Sequence, residues 1–242
     1  MEWKHHHLRL TAFLANAVDI RENTWWNDTV GDDPETTNIT GSQLKVEQGM
    51  RNDLILLLKV EPLRVDWILQ AKESQNFNEL PNLGDNAKAL STFKEITNAW
   101  FKNSKISDIK RLAYGTRLYN IVDDRIKGYE ELDKLLKFVE VHPETTSDFL
   151  YQINRSLNSA IVDNLLINRL TKWHVANIKT VSIDTNAGQS KSLAPDVFAT
   201  TLDLDINSDA DFEKPLPNDL LENLFEEFIS LGEVIASKGD FQ

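Results

Sequence analysis

From Leu8 to Ile20 apolar side chains recur at Leu8, Leu10, Ala12, Leu14, Val18 and Ile20, the two-residue period of a strand with one buried face. Three more short runs, Leu44 to Gln48, Leu54 to Val60 and Arg64 to Ala71, are separated by turn-forming residues at Gln48–Asp53 and Glu61–Leu63. They predict a meander of antiparallel strands. The period then changes: Ala87, Leu90, Phe93, Ile96, Trp100 and Phe101 are spaced by three and four, as on a helix with one face against a core, over Asn86–Phe101. Strand alternation returns from Ile109 to Val122, and a short helix is predicted over Tyr129–Val139, ended by His142-Pro143. Phe149–Leu157, Leu166–Ile183 and Val197–Ile206 read as further strands, the second long enough to be bent or interrupted. Pro217 opens a last helix whose Leu220, Leu221, Leu224, Phe225, Phe228, Leu231 and Ile235 form an apolar stripe, closed by Gly239. Two polar connections stand out, Asn23–Ser42 around Trp25-Trp26 and the acidic stretch Asn207–Leu216.

Strands that alternate, rather than running solidly apolar, favour antiparallel pairing over a doubly wound parallel sheet. The expected fold is α+β: a mostly antiparallel sheet of six or more strands with three helices packed mainly on one face. No linker rich in Gly, Pro or Ser divides the 242 residues, so residues 1–242 are read as a single domain. Cysteine is absent, which excludes disulfides and thiolate chemistry and fits a reducing compartment. The longest apolar run, Leu54–Leu58, is far short of the ~20 residues of a membrane helix, and no signal-peptide core precedes it. A cytoplasmic location without a membrane is expected.

Charge changes the picture further. The formal net charge is −12, which opposes general attraction to nucleic acid or anionic lipid. Most of the excess lies between Asp196 and Asp240, where twelve acids face only Lys214 and Lys238, a balance of −10. Lys105 to Lys127 is locally basic, with Lys105, Lys110, Arg111, Arg117, Arg125 and Lys127 against three aspartates.

Phosphate loops, dinucleotide fingerprints, nucleophile elbows and zinc-protease helices are missing from the sequence. Four weaker groupings are left. His5-His6-His7 offers imidazoles to a metal, although a regular strand cannot aim three consecutive residues at one ion; the plainer reading is a solvated terminus or a cloning remnant. Asp203 and Asp205 share a strand face and, with Asp123 or Asp124, would suit a metal-dependent phosphoester hydrolase; the alternation with Leu202, Leu204 and Ile206 explains the same spacing. Arg111, Arg117 and Arg155, with Tyr119 and Tyr151, form a basic and aromatic set suited to nucleic acid, or to pairing with nearby acids. Trp25 and Trp26 are either an exposed protein-binding pair or a cover for a sheet edge. No cofactor is expected.

Around Tyr114-Gly115-Thr116-Arg117-Leu118-Tyr119-Asn120, and again at Leu202-Asp203-Leu204-Asp205-Ile206 before the last helix, the second half of the chain resembles a sporadically distributed family of uncharacterised bacterial and archaeal proteins. The resemblance implies an α+β fold and the patchy gene distribution of mobile or antiviral defence genes, and supplies no catalytic residues. The expectation is a non-enzymatic interaction module, a partner-binding subunit or modulator in a bacterial or phage conflict system. Its partner would be another protein with a basic surface, met through Trp25, Trp26, Glu222, Glu226, Glu227 and Glu233. Nucleic acid is not expected as the main partner, and homo-oligomerisation is left open.

Overall fold

The structure, a computed structural model, describes residues 1–72, 80–103, 108–178, 181–184, 189–192 and 196–241. The chain begins with β1 (Lys4–Leu14), then the short helix α1 (Trp25–Val30) and β2 (Thr36–Thr40). A meander follows: β3 (Leu44–Arg51), β4 (Leu54–Glu61) and β5 (Arg64–Gln70). Asn52 and Asp53, at φ 47° and 66°, make a two-residue turn between Arg51 and Leu54; positive φ at both positions suits the right-handed twist of a hairpin. The expected broader turn over Gln48–Asp53 therefore contracts, and β3 runs on to Arg51.

Helix α2 (Asn86–Phe101) has the predicted bounds, started by Asp85, whose carboxylate accepts from the backbone N–H groups of Ala87 and Lys88. β6 (Ile109–Val122) leads into α3 (Arg125–Leu135), then β7 (Leu150–Asn158), β8 (Leu166–Ile178), β9 (Val181–Asp184), β10 (Gln189–Ser192) and β11 (Val197–Ser208). A single 3₁₀ turn over Asn218–Leu220 precedes α4 (Leu221–Lys238). α3 starts four residues before the expected position, because Asp124 caps it through the Lys127 N–H at 2.8 Å. The expected strand Leu166–Ile183 divides into β8 and β9.

Among the described residues, nine strands form one antiparallel sheet in the order β2-β3-β4-β5-β1-β6-β11-β8-β7, and β9 and β10 pair apart from it. The first strand thus sits at the centre. Everything on one side of the β1–β6 pairing comes from residues 4–70, and everything on the other from residues 109–208. Alternation then sorts side chains between two faces. One carries Leu8, Leu10, Trp67, Leu118, Trp173 and Leu202, all 2% exposed or less, and all four helices lie on it. Phe225 of α4 anchors this layer, its ring centroid 6.2 Å from Phe93, 6.0 Å from Phe101 and 5.9 Å from Tyr114. Such aromatic contacts add about 0.5–1.5 kcal/mol each beyond the area they bury.

The opposite face is polar and carries no helix among the described residues. Its charges pair across strands, Arg117 with Asp203 at 2.5 Å and Arg9 with Asp205 at 3.2 Å, and along β5, Arg64 with Asp66 at 2.9 Å. The C-terminus closes the helix layer. Gly239, at φ 80° and ψ −161°, turns the chain so that the Asp240 N–H donates to Leu135 O at the end of α3 (3.1 Å). The Asp240 carboxylate then accepts from Arg155 Nε and Nη2 (2.7 and 2.9 Å) and from the Tyr151 hydroxyl (2.7 Å).

Candidate functional site

The predicted site residues do not share one surface. Trp25 and Trp26 are not exposed on a loop: they form the first turn of α1 and are 2% and 0% exposed. Trp25 meets Trp100 edge to face at 5.8 Å, and Trp26 stacks on Trp67 at 6.0 Å. Two adjacent indoles are large enough to seal the meander end of the core, so the expected partner-binding role for them is withdrawn.

The glutamates of α4 are on its outer side, yet three are engaged within the chain. Glu222 accepts from Asn98 (2.7 Å) and pairs with Lys102, Glu226 pairs with Lys94, and Glu227 accepts from Ser159 Oγ and the Ala160 N–H, both at 2.7 Å. They tie α4 to α2 and to the β7–β8 loop. Only Glu233 of the four is exposed without a side-chain partner among the described residues. The docking face expected along α4 is correspondingly reduced.

The basic set is divided between faces. Arg111 and Arg117 lie on the open face, bonded to Ser208 O and Asn207 and to Asp203 respectively, whereas Arg155 lies on the helix face against Asp240. Lys105 falls outside the described residues. All three arginines already have acceptors, so they offer no joint phosphate surface. The carboxylate set is dispersed as well. The register pairs Arg117 with Asp203 and Val122 with Phe198, so Asp123 lies six residues along, about 20 Å from Asp203 at ~3.3 Å per residue. Asp124 is spent as the α3 cap. No group of three metal-competent side chains assembles among the described residues, and the expected metal site is not formed.

The histidine run is not a solvated terminus. It belongs to central strand β1, where a register slip between His5 and His7 makes His6 the extra residue of a bulge. His5 turns to the helix face and is 8% exposed. Burial pushes its imidazole down to about 4. On the open face, burial, helped by neighbouring His6 and by the Arg9 and Arg117 cations, brings His7 down to about 4 as well.

The surface that does combine charge with apolar relief lies at the far end of the sheet. Two segments build it: the β7–β8 loop, residues 159–165, and the connection from β11 to α4. Asn164 at φ 60° turns the first, and the Leu165 N–H closes back on Val162 O at 3.3 Å. The second is held at both ends, by the Asp209 N–H to Leu166 O (2.9 Å) and the Leu216 N–H to Ile109 O (2.8 Å). Between them lies a groove of about 660 Å³ whose apolar lining includes Ile161, Val162, Leu166 and Phe212. Asp163, Asp209, Asp211 and Glu213 rim it against Lys214 alone, a balance of −3. Leu166 is 40% exposed at its edge. The sequence marked the acidic stretch, but Ile161 and Val162 come from a loop more than forty residues earlier, and only the β8–β11 pairing brings the two together.

No protein-family model matches the chain, and no curated protein matches it.

Proposed function

We propose that the protein is a non-enzymatic interaction module that holds a basic, apolar segment of another protein in the groove between the β7–β8 loop and the β11–α4 connection. The observation that carries this reading is the acidic rim over an apolar lining. Apolar side chains of the segment would occupy the floor while its lysines or arginines meet Asp163, Asp211 and Glu213. The geometry suits the function because both loops are pinned to sheet strands by backbone hydrogen bonds, so little ordering is needed on binding. Rim charges of this kind raise the association rate and set its salt dependence more than they set residence time. The setting that goes with it is the one the family resemblance implies, a partner-binding subunit in a bacterial or phage conflict system.

The test is selection from a random peptide display library on the folded protein. Ligands enriched in Lys or Arg beside Leu or Phe are expected, with affinity falling as salt rises and lost in the combined Asp163→Asn, Asp211→Asn, Glu213→Gln variant. Selected ligands without basic character, or unchanged affinity in that variant, would refute the reading.

A further inference from the structure

A second cavity, independent of the acidic groove, lies inside the helix layer. It is bounded by the helix face of β1, β6 and β11 and by the facing sides of α3 and α4, and measures about 520 Å³. Close-packed interiors keep few voids larger than one water molecule, and the volume falls within the ~300–1,000 Å³ usual for small-molecule sites. Its walls are mainly apolar, with Trp3, Leu118 and Leu204 among them. Trp3 is fixed there, its indole N–H donating to Ala236 O of α4 at 2.7 Å.

Two polar groups face this apolar space with fixed roles. The Thr116 hydroxyl must donate to His7 O (2.7 Å), because a carbonyl cannot donate. Its oxygen therefore accepts from His5 Nδ1 at 2.9 Å, which places the His5 proton on Nδ1. That leaves Nε2 an acceptor with no hydrogen bond of its own among the described residues, on a residue that lines the cavity. Burial lowers the His5 imidazole to about 4, so it is neutral at physiological pH. The second group is Tyr114, whose hydroxyl burial keeps protonated and which hydrogen-bonds the Thr116 side chain; with the Thr116 proton given to His7 O, the phenol donates to Thr116 and its oxygen is left to accept. Two acceptors in one apolar cavity complement a hydroxyl or amide, whose O–H or N–H can donate. Formal charge on the lining is limited to Glu131, paired with Lys134 at 2.8 Å, and to exposed Glu233, whose carboxylate acts on the Tyr114 hydroxyl.

We infer that this cavity is a binding site for a small neutral molecule with an aromatic or alicyclic body and a hydroxyl or amide group directed at His5 Nε2 and Tyr114. It has no part in the peptide groove, and the two proposals fail separately.

The experiment uses the full chain and two matched probes, 2-naphthol and 2-methoxynaphthalene, followed by NMR shifts of the Trp3 indole N–H and the His5 ring. 2-Naphthol should give saturable shifts. The methyl ether, which cannot donate to Nε2, should bind about tenfold more weakly, the effect of one hydrogen bond. His5→Phe should bring the two probes to within about twofold of each other. Ala236→Trp, which fills the cavity from α4, should abolish both. Absence of saturable shifts at millimolar probe, equal affinity of the two probes in the native protein, or unaltered binding in a folded Ala236→Trp variant would each overturn the assignment. Should His5→Phe fail to fold, the probe comparison in the native protein and Ala236→Trp decide the matter.

Discussion

Replacing Gly239 by Ala should be among the most disruptive single-methyl changes available in this chain. The backbone at 239 has φ 80° and ψ −161°, a region essentially restricted to glycine that costs another L-residue about 1–3 kcal/mol. A Cβ there would also stand 2.0 Å from Leu135 O and 2.7 Å from its carbonyl carbon. Backbone cannot yield as a flexible side chain does, so the end of α4 must move off α3. That movement breaks the Asp240 N–H to Leu135 O bond and withdraws the Asp240 carboxylate from Arg155 and Tyr151. A neutral hydrogen bond is worth ~1 kcal/mol and one to a charged group ~1.5–3 kcal/mol. Together with the backbone term, the loss comes to about 3.5–7 kcal/mol. Urea unfolding followed by tryptophan fluorescence should show it, with Tm about 10 °C lower for a chain of this size. D-Ala at 239, introduced by ligating a synthetic C-terminal peptide, takes this backbone conformation without strain and should recover most of the loss. A loss below ~1 kcal/mol in the L-Ala protein, or equal losses for the two enantiomers, would refute the reasoning.

Other substitutions separate structural from functional roles. Trp26→Ala should cost about 3–5 kcal/mol in a denaturant titration while leaving peptide affinity in the groove unchanged, since the indole is fully buried on Trp67. Glu227→Gln should cost more stability than Glu226→Gln, because Glu227 accepts two hydrogen bonds from the β7–β8 loop whereas Glu226 makes one 3.4 Å surface pair; hydrogen exchange at Ala160 would report the difference. Lowering the pH from about 6.5 to 4 should reduce stability. In that window the unfolded chain binds protons that buried His5 and His7 refuse, their folded values being about 4. His5 alone accounts for about 3 kcal/mol at 1.36 kcal/mol per pH unit, and His5→Phe should flatten the profile of urea midpoint against pH. A double-mutant cycle on Arg117 and Asp203 should give no more than ~1 kcal/mol, the usual yield of a solvent-exposed pair.

What could be foreseen followed the strength of the local signal. α2 and β6 have the bounds that periodicity predicted, because each carries an unbroken pattern longer than a dozen residues and α2 begins at a capping aspartate. α1 and β2 were hidden. Two neighbouring tryptophans have no period, and every residue of β2 is exposed, so neither of its faces leaves an apolar mark. The bulge at His6 defeated the reading of the histidines, since a single added residue redistributes them between faces. Both candidate sites depend on pairings that no local pattern encodes. His5 and Thr116 meet across β1 and β6, separated by 111 residues. Tyr114 and Thr116 were visible as alternate positions of one strand, and their shared inner face was the available sign.

The central position of β1 governs how the molecule can assemble. Emerging from a ribosome, the first seventy residues hold all five strands of one half, and that half can complete its own ladders while β6 is not yet made. During that interval β1 presents an unpaired edge beneath an uncovered apolar face, the condition in which nascent chains recruit foreign strands. Completion requires β6 to find that edge. A β6 from a second molecule would satisfy the same register as the chain's own, so two copies trading C-terminal halves would keep every strand neighbour and bury the same residues. The hazard is greatest at high concentration and slow synthesis, and it is inherent in a sheet whose oldest strand waits for its last neighbour.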